Sequence, residues 1–404
     1  MNGFARVREP EDDHVALDGI DKQNPGIGPA SKLRLPPRRG LHWRTLVVAE
    51  SLVSKRCFRS LLLMLWAVAL LSCGRSASDD VKPGKAAGEY RTVTGSTMGT
   101  YYRVLYRPSE GCEISLADAD RLLEEFNLSL STYIPESEIS RFNGAAADQW
   151  IDLTPRMNQV LQAAFEVWRE SQGAFDVTIG PLVNLWGFGP SEGVTLPTAE
   201  AQRAASRWVG MQHLRLDHAN ARAQKMAAEV YVDLSALAKG LGVDELAASL
   251  VARSCTDFMV DIGGEMRLAG SNPKGRPWQI GVERPIPGRL GSIQRVLVAS
   301  DVAVATSGDY RNFREVDGVR VDHVIDPRSG LPADNQVASV TVIHPEAMFA
   351  DAYATSIMVL GTERGLELAQ RLALPALIIE KNADGRFREH YTEAMNAFLR
   401  TPAE

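Results

Sequence analysis

The chain has 404 residues, of which 45% are hydrophobic and 23% are charged, a composition typical of globular proteins. Its formal net charge of −6 argues against general nucleic-acid binding, which requires a basic surface, so we expect no nucleic-acid partner. The four cysteines form no CxxC pair, which argues against a zinc knuckle or a thioredoxin-type motif. The sequence leaves open whether Cys112 and Cys255 form a disulfide bond.

The N-terminal region divides into two segments of different character. Residues 1–54 are rich in Arg, Pro and polar residues and lack a sustained apolar period. This predicts either disorder or an extension assigned upstream of a true translation start near Leu52 or Val53. Residues 55–73 have the layout of a signal peptide, with a basic start, an apolar run from Leu61 and small residues before Cys73.

The end of the signal peptide, Leu70-Leu71-Ser72-Cys73, resembles the bacterial lipobox, in which the cysteine becomes the lipid-bearing first residue of the mature chain. The alternative is a cysteine that merely follows an apolar run. The lipobox interpretation predicts an exported protein, lipid-anchored through Cys73 to a membrane and facing the periplasm. The choice between outer and inner membrane stays open, and the polar residues 74–89 would form a linker.

After the linker, the hydrophobic pattern alternates between helical and strand periods. The first half predicts a hairpin over 90–107 and helices over 115–130, 154–173 and 198–210, the first of them with Ser115 as its N-cap. The esterase-like motif G-x-S-x-G occurs once, around Ser191, but loop-like stretches flank it on both sides. A nucleophile elbow needs a strand before the serine and a helix after it, so we disfavour an esterase.

The second half mixes strands and helices in the same way. It first predicts a strand leading into a long helix over 230–254 and a hairpin over 257–270. A strand and turn follow over 320–332. The chain is then predicted to form a strand over 336–344 that leads into a helix over 350–361, and a final hairpin over 375–391. Hairpins outnumber βαβ units, which predicts an α+β fold with mixed helices and largely antiparallel sheets. We expect one compact domain over residues 90–400, with two similar halves as an alternative arrangement.

Two stretches in the middle of the chain have residues suited to an aromatic or anionic ligand. Asp176 follows Phe175 in an aromatic-rich loop. Asp233, Ala236 and Lys239 are spaced three apart at the predicted start of a helix, where free N–H groups and the helix dipole favour anions. Lysine adds a point charge suited to phosphate; the structural alternative for Lys239 is a solvated charge.

Two later stretches have residues suited to proton transfer and to metal binding. His323 alternates with Val321 and Ile325, which predicts an inward-facing ring, with an ordinary core histidine as the alternative. Asp351 and Thr355 lie four apart on one face of an apolar helix, and hard cations prefer such oxygen ligands. The structural alternative there is a capping aspartate and a threonine hydrogen-bonded to its own backbone.

Taken together and in order, seven motifs resemble the FAD:protein FMN transferase family, also called ApbE. They are STMGTYY, FDVTIGPLVNLWGFGP, DLSALAKG, DIGGE, SGDYRNF, HVIDPRSGLP and ADAYATSIMVLG. The resemblance implies Mg²⁺-dependent cleavage of FAD at its diphosphate, transfer of FMN to a Thr or Ser hydroxyl of a target flavoprotein, and release of AMP. It also implies targets among the subunits of membrane redox complexes, and family members are often exported lipoproteins.

The resemblance also implies roles for individual residues. FAD would be held by Met98, Tyr133, Ala174, Phe175, Asp176, Asp233, Lys239, Val324 and Ile325. Magnesium would be held by Asp351, by Thr355 and by the main-chain carbonyl of Ala236, while His323 is the candidate catalytic base for the acceptor hydroxyl. Two alternatives to the transferase stay open: an Mg²⁺-dependent FAD pyrophosphatase that gives FMN and AMP, and a non-catalytic FAD-binding lipoprotein.

Overall fold

The computed structural model describes residues 89–400, apart from the short segments 191–195, 287–290, 310–312, 317–318, 334 and 383. The predicted N-terminal extension, the signal peptide with Cys73 and the linker up to residue 88 lie outside the described residues, as does Ser191 of the esterase-like motif. Within the part of the chain that is described, no helix combines the length and the hydrophobicity needed to cross a bilayer.

Four of the eight helices in the described residues begin after a Ser or Thr whose hydroxyl accepts a backbone N–H of the first turn. The eight helices are α1 (Leu116–Leu130), α2 (Glu138–Asn143), α3 (Pro155–Glu170), α4 (Gly180–Leu185), α5 (Ala199–Ser206), α6 (Ser235–Ala252), α7 (Ala347–Leu360) and α8 (Thr362–Arg371). The predicted cap of α1 is confirmed: the Ser115 hydroxyl accepts the Asp118 N–H, and the Asp118 carboxylate accepts the Ser115 N–H. α3 follows the N-cap Thr154 and has a proline in its first turn.

Most of the longer strands form one main sheet. The strands are β1 (Arg91–Thr97), β2 (Thr100–Tyr106), β3 (Trp150–Asp152), β4 (Leu214–Asp217), β5 (Arg222–Lys225), β6 (Phe258–Ile262), β7 (Glu265–Ala269), β8 (Trp278–Glu283), β9 (Ile293–Ala299), β10 (Ala303–Gly308), β11 (Phe313–Val316), β12 (Val319–Asp322), β13 (Ile325–Asp326), β14 (Leu331–Pro332), β15 (Val337–His344), β16 (Ala376–Lys381) and β17 (Phe387–Tyr391). The main sheet has the order β1-β2-β6-β7-β10-β15-β16-β17, and its pairings are antiparallel. Four small antiparallel sheets accompany it: β3-β5-β4, β8-β9, β11-β12 and β13-β14.

This architecture confirms the α+β class with largely antiparallel sheets and the hairpins β1–β2, β6–β7 and β16–β17. The strand predicted before α6 is wrong. In that segment a single parallel bridge joins Tyr231 to Ile179, and the Asp233 N–H donates to the Val177 carbonyl at 2.7 Å. The segment therefore crosses the loop before α4 instead of extending a sheet.

The strand predicted around His323 is interrupted. β12 ends at Asp322, β13 begins at Ile325, and Val324 and Ile325 are both buried. Since a regular strand points successive side chains to opposite faces, the alternation that predicted an inward His323 does not hold. The His323 side chain is half-buried.

Helices α6 and α7 cross in the core of the protein, with α6 against β6 and β7 and α7 against β10 and β15. The crossing is close at Gly240, where an added Cβ would lie 2.3 Å from the Ala347 carbonyl oxygen. No side chain fits in that space, so glycine is the residue that allows the two backbones to approach. This approach sets the distance between the polar groups of the two helices.

A disulfide bond links the loop before α1 to the loop after α6. It joins Cys112 to Cys255, with the two Cα atoms 4.9 Å apart. Both cysteines are buried in an apolar cluster that includes side chains of α1, α6, β2 and β6. The question that the sequence leaves open is thereby answered in favour of a disulfide.

Candidate active site

Asp351 lies in the second turn of α7, at the crossing with α6. Its Oδ2 accepts the Gly240 N–H at 3.1 Å, a donor that in a regular helix is directed at the Ala236 carbonyl four residues earlier. The N-terminus of α7 is capped instead by Asp244 of α6, whose two carboxylate oxygens accept the first two N–H groups of α7, each at 2.9 Å. Asp351 is therefore not a helix cap.

Lys239 lies between two buried carboxylates. Its Nζ is 3.5 Å from Asp351 Oδ2 and 3.6 Å from Glu265 Oε1. The side chains of the two acids are only 3% and 4% exposed, whereas that of Lys239 is 30% exposed. We call Lys239, Asp351 and Glu265 the ion triad. Because the lysine is partly open to solvent, it is the member of the triad best placed to meet a ligand.

Burial and mutual attraction control the protonation of the ion triad. Burial raises the pKa of Glu265, an effect that Lys239 opposes and Asp351 reinforces. Burial also raises the pKa of Asp351, again opposed by the lysine. For Lys239, burial would lower the pKa, but the two carboxylates outweigh it and raise the pKa. Lys239 is therefore a cation at neutral pH.

Oxygen atoms of several kinds meet near the ion triad. Thr355 lies one turn after Asp351 on α7, and its Oγ1 is 3.2 Å from Ser307 Oγ at the end of β10. Ala236 lies in the first turn of α6, one turn before Gly240. No group of three or more His, Cys, Asp or Glu side chains in the described part of the chain could hold a metal ion. A divalent cation here would thus depend on carbonyl and hydroxyl oxygens as well as Asp351, a donor set that fits a hard cation.

Asp176 is occupied by hydrogen bonds within and near its own loop. Its Oδ1 accepts the Thr178 N–H at 2.8 Å and hydroxyl at 2.5 Å, and its Oδ2 accepts the Met211 N–H at 3.1 Å. Burial raises the pKa of this carboxyl. Its neighbours Ala174 and Phe175 are 1% and 3% exposed and belong to the main core. The Phe175 ring thus packs inside the protein, and the contact of Ala174, Phe175 and Asp176 with FAD stays a prediction.

A second group of predicted residues surrounds Phe188. The His323 ring meets the Phe188 ring edge-on, with centroids 6.3 Å apart, and the Arg314 guanidinium lies over the same ring at 5.5 Å. The Tyr133 hydroxyl donates to the Phe188 carbonyl at 3.0 Å. We call these four residues the aromatic cluster. Partial burial and the nearby Asp233, two residues before α6, raise the pKa of Tyr133.

Helix α6 connects several of the predicted residues. Asp233 is 8% exposed, and its carboxylate accepts the Ser235 N–H at 2.8 Å at the start of the helix. Lys239 follows four residues after Ser235, about 6 Å along the helix axis. Met98, in the turn between β1 and β2, reaches the same helix, because its Cε would lie 2.9 Å from a Cβ on Gly242.

The last two predicted FAD residues are apolar and buried. Val324 belongs to the main core, where its carbonyl accepts the Ala333 N–H at 2.9 Å. Ile325 belongs to a smaller cluster with Leu182 and Trp186. These positions form the base of the segment that carries His323, and their role toward FAD stays a prediction.

Sequence reasoning did not assign roles to Glu265, Ser307 or Asp244. Glu265 follows directly after the Gly263–Gly264 turn, and a carboxylate at that point of a hairpin is a signal that could have been used. Ser307 lies in a strand and Asp244 in a helix, and neither has a local pattern that marks it. Their partners, Thr355 and the first turn of α7, come from elements that only the tertiary structure brings near.

Comparisons with known proteins agree with this architecture. The model of the ApbE family matches residues 98–378. An FAD:protein FMN transferase of Vibrio cholerae is 42% identical over 338 residues, covering 83% of this chain and 98% of the relative. Proteins of the same name from Haemophilus influenzae and Escherichia coli K12 are 37% and 33% identical, over 73% and 79% of this chain and 87% and 93% of the relatives.

Solved structures show the same fold. The flavin transferase ApbE from Vibrio cholerae matches with a TM-score of 0.71 and 42% identity, over 77% of this chain and 99% of that one. The apo form of the Pseudomonas stutzeri flavinyl transferase ApbE matches with a TM-score of 0.71 and 34% identity, over 78% and 98%. The fold and these relatives confirm the predicted enzyme class, the FAD:protein FMN transferases. The chain belongs to the ApbE family.

Proposed function

We propose that the protein cleaves FAD at its diphosphate in an Mg²⁺-dependent reaction, transfers FMN to a Thr or Ser hydroxyl of a target flavoprotein, and releases AMP. The observation that carries this proposal is the ion triad. It pairs a buried carboxylate with a partly exposed lysine 3.5 Å away, beside carbonyl and hydroxyl oxygens. Phosphoryl transfer depends mainly on positioning and charge neutralisation, and these groups supply both.

The residues around the start of α6 would bind the substrate. Lys239 would meet the FAD diphosphate as a point charge, and the dipole at the N-terminus of α6 would favour the same anion. Asp351, Thr355 and the Ala236 carbonyl would hold Mg²⁺, which neutralises phosphate charge as a Lewis acid when bound. Tyr133, which is 65% exposed, would contact the flavin nucleotide from the aromatic cluster.

The transfer step forms one bond to phosphorus and breaks another. The acceptor hydroxyl oxygen attacks the phosphorus of the FMN half, and the bond from that phosphorus to the bridging oxygen breaks. The bridging oxygen leaves with AMP, while the hydroxyl proton passes to a base. We assign this base to His323, because its half-buried ring is held by Phe188 in the cluster that also contains Tyr133.

We further propose that the protein is exported and lipid-anchored through Cys73, facing the periplasm, and that its targets are flavoprotein subunits of membrane redox complexes. The lipobox-like end of the signal peptide supports the anchor. The Cys112–Cys255 disulfide supports an oxidising compartment, where such bonds persist.

The activity can be tested by incubating the protein with FAD, Mg²⁺ and an acceptor flavoprotein subunit. We expect covalent flavin fluorescence on the acceptor in a denaturing gel, with AMP formed in equal amount. Release of FMN and AMP without labelled acceptor would identify the pyrophosphatase instead. Binding of FAD with neither product would contradict both enzymes and leave the binding protein.

The metal assignment predicts that Asp351→Asn loses at least about 100-fold in transfer, because a buried carboxylate that would ligate the cation is removed. The remaining activity should no longer respond to added Mg²⁺. Asp384→Asn, at an exposed turn, is the matched control and should behave as wild type. An Asp351→Asn variant with full, Mg²⁺-dependent activity would overturn the assignment.

A further inference from the structure

We propose that Glu265 is a positioning residue that acts through Lys239. It provides a second counter-charge for the lysine, so that Asp351 stays available to a divalent cation while the ammonium group stays beside the site. This inference rests on the proposed function and deepens it. It assigns a role to a carboxylate that the predicted ligand set does not include.

The backbone around Glu265 holds its side chain in one place. Gly263 and Gly264 have φ of +64° and +112°, a conformation that favours glycine, and they turn the chain between β6 and β7. The Gly264 N–H donates to Asp261 at 3.0 Å, and Glu265 pairs with Ile262 across the hairpin. The Glu265 carboxylate is thus presented to Lys239 from a rigid sheet.

The Glu265 carboxylate is buried and incompletely hydrogen-bonded, which argues against a role in packing alone. Its side chain is 4% exposed, and its Oε2 is buried without a hydrogen bond to any other residue in the described part of the chain. Leaving a buried acceptor unpaired costs the desolvation of that group without a compensating hydrogen bond. Native proteins tolerate such a cost mainly where the group has a function.

The distances show what that function is. Asp351 Oδ2 already accepts the Gly240 N–H and also faces Lys239, so a cation at Asp351 must compete with the lysine. Glu265 offers Lys239 an alternative partner at nearly the same distance, 3.6 Å against 3.5 Å. Without Glu265, Lys239 would pair with Asp351 alone, and a cation would have to displace it.

The test compares Mn²⁺ binding, measured by the electron paramagnetic resonance of the free ion, in the wild type and in Glu265→Gln. We expect the Kd for Mn²⁺ to rise at least about fivefold in Glu265→Gln, and the Mg²⁺ concentration needed for half-maximal FMN transfer to rise with it. An unchanged Kd would overturn the inference. Glu265→Asp keeps the charge on a shorter side chain and should bind Mn²⁺ more tightly than Glu265→Gln; a Kd as weak as that of Glu265→Gln would count against the inference.

A double-mutant cycle separates positioning from a direct or purely structural effect. In a Lys239→Met background, where the competing ammonium is absent, Glu265→Gln should change the Mn²⁺ Kd by less than about twofold. A loss of the same size in both backgrounds would mean that Glu265 acts without Lys239. If the wild type transfers no FMN, the proposed function fails. If the wild type is active but Glu265→Gln binds Mn²⁺ with the same Kd, only this inference fails.

Discussion

At the crossing of α6 and α7, each helix contributes one carboxylate that accepts backbone N–H groups of the other helix. Asp244 of α6 accepts two N–H groups at the start of α7, and Asp351 of α7 accepts an N–H of Gly240 in α6. Both acids are largely removed from water, so each depends on the donors of its neighbour. The side chains that would carry the chemistry are therefore fixed by the same contacts that hold the helices together.

The role assigned to His323 gives a prediction for this side chain. His323→Ala should lower FMN transfer about 10²–10⁴-fold, the usual contribution of a general base, while the Kd for FAD stays within about twofold. Transfer rates and FAD titrations would measure the two effects. His218→Ala, at an exposed turn, is the control, and a His323→Ala variant with normal transfer would remove this histidine from the mechanism.

Asp244 gives a prediction about pH. Burial raises its pKa from 3.8 to about 6, against the hydrogen bonds from α7, so between these values the folded protein binds more protons than the unfolded chain. Linkage then makes the free energy of unfolding fall as the pH rises through this window. We expect Asp244→Asn to flatten that dependence in urea titrations; equal slopes for both proteins would contradict the assignment.

At the scale of elements, two glycines of α6 differ in what surrounds them. A Cβ on Gly240 would lie 2.3 Å from the Ala347 carbonyl oxygen, a backbone atom. A Cβ on Gly242 would lie 2.9 Å from the Cε of Met98, the end of a flexible side chain that can move. The first clash forces two helices apart, whereas the second requires only the ends of two side chains, Met98 and Ile262, to move.

Gly240→Ala should therefore destabilise the protein by about 1–3 kcal/mol and also lower FMN transfer, because Asp351 and Lys239 lie on the two helices that separate. Gly242→Ala is the matched control, since both changes gain the same helix propensity. Its loss in free energy of unfolding, measured with urea, should be clearly smaller. A similar loss in both variants would show that the close crossing is not what glycine provides at Gly240.

Local signals explain how much of the fold could be predicted. The capping box at Ser115 and the hairpin patterns act over a few residues, and the structure confirms them. The strand expected before α6 was predicted from apolar residues that instead bury against the loop near Val177. A run of apolar residues can be buried without pairing with a strand. Strand propensity alone therefore could not show that this segment packs against a loop and does not join a sheet.

The candidate site shows the same limit. Lys239 and Asp351 were identified by their helical settings, and the structure brings them within 3.5 Å. Glu265 was not identified, because its contact with Lys239 arises only when α6 packs against the β6–β7 hairpin. The loop around Phe175 was considered suited to an aromatic ligand, yet the Phe175 ring is in the core. The sequence could not distinguish the two cases, because an aromatic residue in a loop can either pack in the core or contact a ligand.

At the scale of the whole molecule, the Cys112–Cys255 disulfide ties together parts of the chain 143 residues apart. The bond lies among side chains of α1, α6, β2 and β6, and so it braces the part of the main sheet on which α6 rests. Closing so long a loop restricts the unfolded chain strongly. Its effect should therefore appear in global stability more than in the chemistry of the site.

Replacing both cysteines by serine should lower the free energy of unfolding by about 2–5 kcal/mol, while FMN transfer well below the melting temperature stays close to the wild type. Reductant should shift the wild-type melting curve toward that of the variant and leave the variant unchanged. Identical melting curves for the two proteins under oxidising conditions would contradict a stabilising bond.

The reciprocal carboxylate contacts between α6 and α7 bear on how this protein can be recombined with its relatives. A chimaera that takes only one of the two segments from a relative would pair its borrowed acid with backbone N–H groups placed by a helix of the other parent. Exchanging both segments in one block would keep every donor with its own acceptor. The smallest interchangeable unit of this enzyme is thus a pair of helices that lie far apart in the sequence.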